Sequence, residues 1–331
     1  MTELRFDGPI NILVLLGLTL PEVSEADLAK IQAAAPPGST VRVVAKMRDA
    51  AAVAGDAHVI LGLLPESLFH AAPRLRWFHA IASGVDMFLY PAMRDSAVVL
   101  TGEKGLVGGH LADTGFGLLL ALTRQIATAI RLGSTSWDAR EAMRRKEIEL
   151  EGLTMGIVGF GGTGRAMARR AVAFGMHVLA LDEWPVPPSD GVQEVWGRDK
   201  LGRLLAVSDI VAICCPLTPQ THGLFNDDTF NQMKRGAFLV NVTRGEIMDG
   251  DALVRALRDG RCAGAGLDVA PLEPLPADHP LWTLENVVMT PHTAGASQLR
   301  AMRNLERFCD NLRRARSDEP LQGVVDKKLG Y

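Results

Sequence analysis

Short apolar runs rich in Val, Ile and Leu alternate with helix-like stretches along almost the whole chain, the pattern of parallel α/β sheets. In the first third this pattern predicts strands at residues 10–16, 41–45, 58–63, 77–81 and 97–100. Ser24, with acidic residues close behind it, reads as the N-cap of a helix between the first two strands. One long apolar-faced helix is predicted over residues 108–131. A second series of strands follows at residues 154–159, 177–182, 210–214, 237–242, 264–268 and 287–290. The Pro-rich stretch 184–188 reads as a loop, too short to link domains. A last helix is predicted over residues 297–316, after which the polar tail returns to the first domain.

Composition narrows the class. A chain of 331 residues holds about two domains at ~150 residues each. With 47% hydrophobic and 22% charged residues it can bury large cores and is no disordered segment. The balance of 35 basic against 38 acidic side chains argues against a nucleic-acid or membrane surface. No apolar run reaches the ~18 residues of a membrane helix, and no basic region opens a signal peptide. The four cysteines include no CxxC pair, so neither a disulfide framework nor a metal site is expected. Strand alternation sends Cys214 and Cys215 to opposite faces, which favours burial over a redox pair. The expectation is a cytoplasmic, two-domain protein.

The strongest local signal is Gly159-Phe-Gly161-Gly162-Thr163-Gly164, set between an apolar strand and a helix. The first glycine permits a tight turn and the second lets a pyrophosphate approach the backbone. The third lets helix and strand pack closely, and phosphate charge is held at the helix N-terminus. The next strand ends at Asp182, 18 residues after Gly164, placed to accept hydrogen bonds from ribose hydroxyls. A 2′-phosphate would meet Asp182 and Glu183 with no arginine beside them, so NAD is expected over NADP.

Three more segments end predicted strands of the same sheet, where open α/β sheets place ligands. Each offers one residue suited to carbonyl reduction: Arg244, Glu273 and His292. An arginine binds a substrate carboxylate and polarises the neighbouring carbonyl. A histidine transfers the alcohol proton, and a carboxylate fixes its tautomer.

Around these residues stand Gly223-Leu-Phe-Asn226, Met233-Lys234-x-Gly236-Ala237, the run from Ala263 to Asp268, and Pro280-Leu-Trp282 through Gly295. With these motifs in this order, the chain resembles the D-isomer-specific 2-hydroxyacid dehydrogenase family over essentially its whole length. The resemblance implies two Rossmann-like or flavodoxin-like parallel-sheet domains with an active-site cleft between them. Residues 1–105 with 296–331 would form a discontinuous substrate domain, and 106–295 the NAD-binding domain. Arg244, Glu273 and His292 map onto the family's catalytic triad. The resemblance draws cofactor contacts from the amides of Gly162 and Thr163, from Asp182, and from the backbone around Cys215 and Pro216. Val242, Asp268 and the turn from His292 to Gly295 would border the nicotinamide. Ser83 and Gly84 would offer amides to the substrate carboxylate, and two chains would pair through the cofactor domain.

The implied reaction interconverts a small 2-oxo acid and its (R)-2-hydroxy acid with NAD. Ser83, Leu63, Leu64 and His110 suit glyoxylate, hydroxypyruvate, or a short or aryl 2-oxo acid. Ala80 stands where phosphoglycerate dehydrogenases of the family carry a basic residue, which disfavours a phosphorylated substrate. Asp113 replaces the family's usual glutamate at the start of the crossing helix. Trp137 reads as an interface or core aromatic. Two alternatives stand beside this reading: an NADP-preferring hydroxypyruvate or glyoxylate reductase, and a non-catalytic NAD-sensing interaction protein of the same fold.

Overall fold

The computed structural model describes residues 4–331, so the first three residues of the expected substrate domain lie outside it. The described residues form two separate sheets, each parallel throughout. The chain divides into two units: the chain up to Val107 with Ala296–Tyr331, and Gly108–Gly295.

In the first unit, β1 (Asn11–Leu15), β2 (Thr40–Val44), β3 (Val59–Gly62), β4 (Trp77–Ala80) and β5 (Val99–Thr101) lie in the order β2-β1-β3-β4-β5. β3 and β4 are buried at every position, as strands covered on both faces must be. β2 is partly exposed because it is an edge. Ser24 caps the helix Glu25–Ala34 in a reciprocal capping box with Asp27. The polar tail does return to this sheet: Val324 bridges Thr101, and the Val325 amide donates to the Leu100 carbonyl at 2.9 Å. The C-terminal helix spans Arg300–Ser317, starting three residues later than its pattern suggests, and stacks Phe308 on Trp77. Near its start, Arg300 pairs with the fully buried carboxylate of Glu103, Nη2 to Oε2 at 2.5 Å, and Asn304 Nδ2 donates to Glu103 Oε1 at 2.9 Å.

His79 in β4 is fully buried. The Thr101 hydroxyl accepts from Trp77 Nε1 at 2.8 Å and lies 2.6 Å from His79 Nδ1. Burial, with the Arg307 charge adding to it, lowers the His79 pKa to about 3. The fold therefore holds this ring neutral, whereas the unfolded chain takes up a proton near the ordinary pKa of about 6.5. The unfolded state binds more protons between those values, so stability falls as pH drops through the window. Going from pH 7.5 to 5, His79 costs about 2 kcal/mol by this linkage. Urea denaturation of His79→Gln should lose about 2 kcal/mol less than the native chain over that interval. Equal losses would remove His79 from the account.

In the second unit, β6 (Thr154–Val158), β7 (His177–Leu181), β8 (Val195–Trp196), β9 (Ile210–Ile213), β10 (Ala237–Asn241), β11 (Cys262–Leu267) and β12 (Val287–Met289) take the order β12-β11-β10-β9-β6-β7-β8. The order reverses between β6 and β9, the switch point at which such sheets open a crevice. β8 escapes sequence detection because it is a two-residue edge strand. The predicted helix over 108–131 is two helices, Gly108–Thr123 and Ile126–Leu132. Gln125 breaks it by adopting a left-handed φ of 54°, while its side chain caps the Leu122 carbonyl at 3.0 Å. Apolar periodicity runs on through Ile126 and Ile130, and neither Gly nor Pro marks the break. Trp137 is 77% exposed in the single chain, so it is no core residue. Cys214 and Cys215 are both buried and free, and burial raises both thiol pKa values, that of Cys215 to about 12. Among the described residues no helix is long and apolar enough to cross a membrane.

Candidate active site

The glycine loop leaves β6 at Gly159, whose φ of 98° only glycine adopts freely. A Cβ there would lie 2.5 Å from the Cys215 amide nitrogen, so the loop presses on the end of β9. A Cβ at Gly164 would run into the Gly159 carbonyl oxygen, which is the close packing that the third glycine permits. A Cβ at Gly161 would instead meet nothing, leaving a cradle in front of the helix Gly162–Ala173. That helix has no side-chain cap, so the amides of Gly162 and Thr163 present its positive end. These features fit a dinucleotide pyrophosphate.

Asp182 follows β7 and ties the loop to it. One carboxylate oxygen accepts from the Phe160 amide at 2.7 Å and the other from the Trp184 amide at 3.2 Å. Asp113, the shorter acid at the start of the helix Gly108–Thr123, receives the Arg170 guanidinium at 2.6 Å. Arg170 also donates to the Gly109 carbonyl, so this pair joins that helix to the helix of the glycine loop.

The carboxyl ends of β10, β11 and β12 bring the other candidates together. After β10, the fully buried Asn241 shapes the turn that carries Arg244. Its Nδ2 donates to the Arg244 carbonyl at 2.8 Å, and its Oδ1 accepts from the Thr243 amide at 3.0 Å. Val242 is buried beneath the turn, and Arg244 Nη1 donates to the Thr243 carbonyl at 2.8 Å. A Cβ at Gly245 would overlap the Ala270 carbonyl, so this turn packs directly on the loop leading to Glu273.

Glu273 bridges two groups. Oε1 accepts from the Ala270 amide at 2.9 Å, and Oε2 lies 2.7 Å from His292 Nδ1. A carboxylate only accepts, so Nδ1 carries the proton and Nε2 is left for chemistry. Asp268 is nearly fully buried, with its carboxylate turned into the His292 turn. It accepts from the Thr290 hydroxyl at 2.6 Å, the Thr293 amide at 2.9 Å and the Ala294 amide at 2.8 Å. The Asp268 carbonyl also accepts from the His292 amide at 2.7 Å, holding His292 at a left-handed φ of 55°. Ser83 and Gly84 belong to the other unit, beyond the carboxyl end of β4, where Ser83 is exposed.

Sequence reasoning missed two residues. Asn241 carried no signal because a buried asparagine at a strand end has no motif of its own. Arg198 was missed because β8 was missed. It sits just beyond β8 with Nη1 3.2 Å from Glu183 Oε2, correcting the expectation that no arginine stands beside Asp182 and Glu183.

A glycine loop at the switch point, with a His–Glu pair on the same sheet edge, fits the class of nicotinamide-dependent oxidoreductases. Known proteins refine that class. The model of the D-isomer specific 2-hydroxyacid dehydrogenase, NAD binding domain, matches residues 116–294. A glyoxylate reductase of Korarchaeum cryptofilum is 35% identical over 315 residues, covering 94% of this chain and 92% of that one. The structure of a D-isomer specific 2-hydroxyacid dehydrogenase from Xanthobacter autotrophicus Py2, in complex with NADPH and MES, superposes with a TM-score of 0.78 at 29% identity, covering 97% and 100%. An NAD-dependent formate dehydrogenase from Staphylococcus aureus, in complex with NAD, gives 0.73 at 27% identity, covering 96% and 99%. The chain belongs to the D-isomer-specific 2-hydroxyacid dehydrogenase family.

Proposed function

We propose that this enzyme is an NAD-dependent dehydrogenase interconverting a small 2-oxo acid and its (R)-2-hydroxy acid. The observation that carries the reading is the 2.7 Å contact between His292 and Glu273 on the sheet edge that also bears the glycine loop. When bound, the nicotinamide supplies or accepts the hydride. In the reductive direction Arg244 binds the substrate carboxylate and draws electron density from the adjacent carbonyl. Ser83 and Gly84, in the other unit, are read as carboxylate-binding through their amides. Nε2 of His292 donates the proton that completes the alcohol, and Glu273 stabilises the ring in its charged form. Oxidation reverses each role.

Asp182 supports NAD, because its carboxylate opposes a 2′-phosphate and suits ribose hydroxyls. The glyoxylate reductase relative supports a substrate as small as glyoxylate. Ile130 at 75% and Trp137 at 77% exposure support pairing of two chains through the second unit.

The test is oxidation of NADH, with NADPH in parallel, against glyoxylate, hydroxypyruvate, pyruvate, 2-oxoisocaproate and phenylpyruvate. Turnover of at least one member at roughly 1–10³ s⁻¹ is expected, with light scattering of the same preparation giving the mass of two chains. No turnover with either cofactor on any member would sink the catalytic reading, and a monomer mass the pairing.

A further inference from the structure

The carboxyl ends of β7 and β8 lie side by side, since the Asp182 amide donates to the Trp196 carbonyl at 2.9 Å. The residue after Asp182 is Glu183, and two residues after Trp196 comes Arg198. The pairing therefore sets a guanidinium at the edge where Asp182 is read as the ribose contact. One arm of Arg198 is anchored, with Nη2 donating to the Gln220 carbonyl at 2.7 Å. The other arm, Nη1, faces Glu183 at 3.2 Å, in a pair whose side chains are 38% and 47% exposed.

An exposed ion pair of this kind is weak, and a guanidinium prefers a phosphate, which it meets through several charge-assisted hydrogen bonds. The other cations nearby are committed elsewhere. Arg165 bonds to Ser189 and to the Pro187 carbonyl and stacks over the Phe160 ring, while Lys200 and Arg203 lie over Trp196. Asp182 spends one hydrogen bond at each oxygen on backbone amides, which partly offsets its charge. Burial is the main cause of the raised Cys215 pKa, and the Asp182 carboxylate adds to it while the Arg198 guanidinium opposes it. Both charges thus act at one point beside the glycine loop.

We propose that Arg198 is a second determinant of cofactor choice, exchanging Glu183 for the 2′-phosphate of an NADP-type nucleotide, so that one site admits both dinucleotides. This rests on the proposed function, and places Glu183 as the group that masks the cation when NAD is bound.

The test measures binding by titration calorimetry with NAD⁺ and NADP⁺, without substrate or turnover. Glu183→Gln should tighten NADP⁺ by about 10-fold and leave NAD⁺ within about twofold. Adding Arg198→Ala to that variant should abolish the gain, whereas Arg198→Lys, which keeps the charge, should retain part of it. The inference is overturned if the double variant binds NADP⁺ as tightly as Glu183→Gln alone. It is also overturned if Arg198→Ala weakens both cofactors equally, the mark of a merely structural ion pair. Tight NAD⁺ binding in those cases leaves the proposed function standing. Binding of neither cofactor by the native protein would overturn the proposed function itself, and this inference with it.

Discussion

Replacing His292 with asparagine lowers kcat by roughly 10²–10⁴-fold, the usual contribution of a positioned acid–base group, while NADH affinity stays within about twofold. The choice of asparagine follows from the backbone. His292 sits at a left-handed φ of 55°, a conformation that asparagine tolerates better than most residues. The turn therefore survives while the transferable proton is lost. Glu273 keeps its second bond to the Ala270 amide at 2.9 Å, so its loop is not set free. Steady-state rates, with NADH binding followed by fluorescence, separate the two effects. Retention of more than about a tenth of the native kcat would mean that another group supplies the proton.

Asp268→Asn should damage both stability and turnover. Its carboxylate accepts three hydrogen bonds from Thr290, Thr293 and Ala294 in a nearly fully buried setting. An amide replaces one accepting oxygen with a donor, which must then face another donor without water to relieve it. Bonds to a buried charge contribute about 1.5–3 kcal/mol each, so the unfolding free energy should fall by about 3 kcal/mol. The folded fraction should also lose about 10²-fold in kcat, because the turn that aims His292 loosens. Urea denaturation and turnover corrected for folded fraction report the two effects. Native stability together with native kcat would show that Asp268 serves some end other than shaping this turn.

Much of the candidate site is legible as a pattern because its residues stand in short strings at strand ends. The glycine loop is six consecutive residues between a strand and a helix, and Arg244, Glu273 and His292 each follow a β-rich run. What escaped depends on pairings distant in sequence. Arg198 meets Glu183 only because β8 lies against β7, and a two-residue strand leaves no periodic trace. Gln125 breaks a helix where the apolar pattern continues, because a backbone angle and not a side-chain type makes the break. Asn241 reads as an ordinary polar residue until the turn it braces is seen. From the sequence Asp268 is expected only as a border to the nicotinamide. The direction of its carboxylate, inward to the turn, comes from three contacts that no string encodes.

The buried pair of Glu103 and Arg300 stands close to the two points where the chain leaves the first unit and re-enters it. With Asn304 it joins those two passes by bonds of their own, independent of whatever sequence runs between them. In topological terms the second unit is an insertion within the first, and this pair is the suture at the point of insertion. Loops added to or lost from the second unit leave both stitches in place, since Glu103, Arg300 and Asn304 all lie in the first.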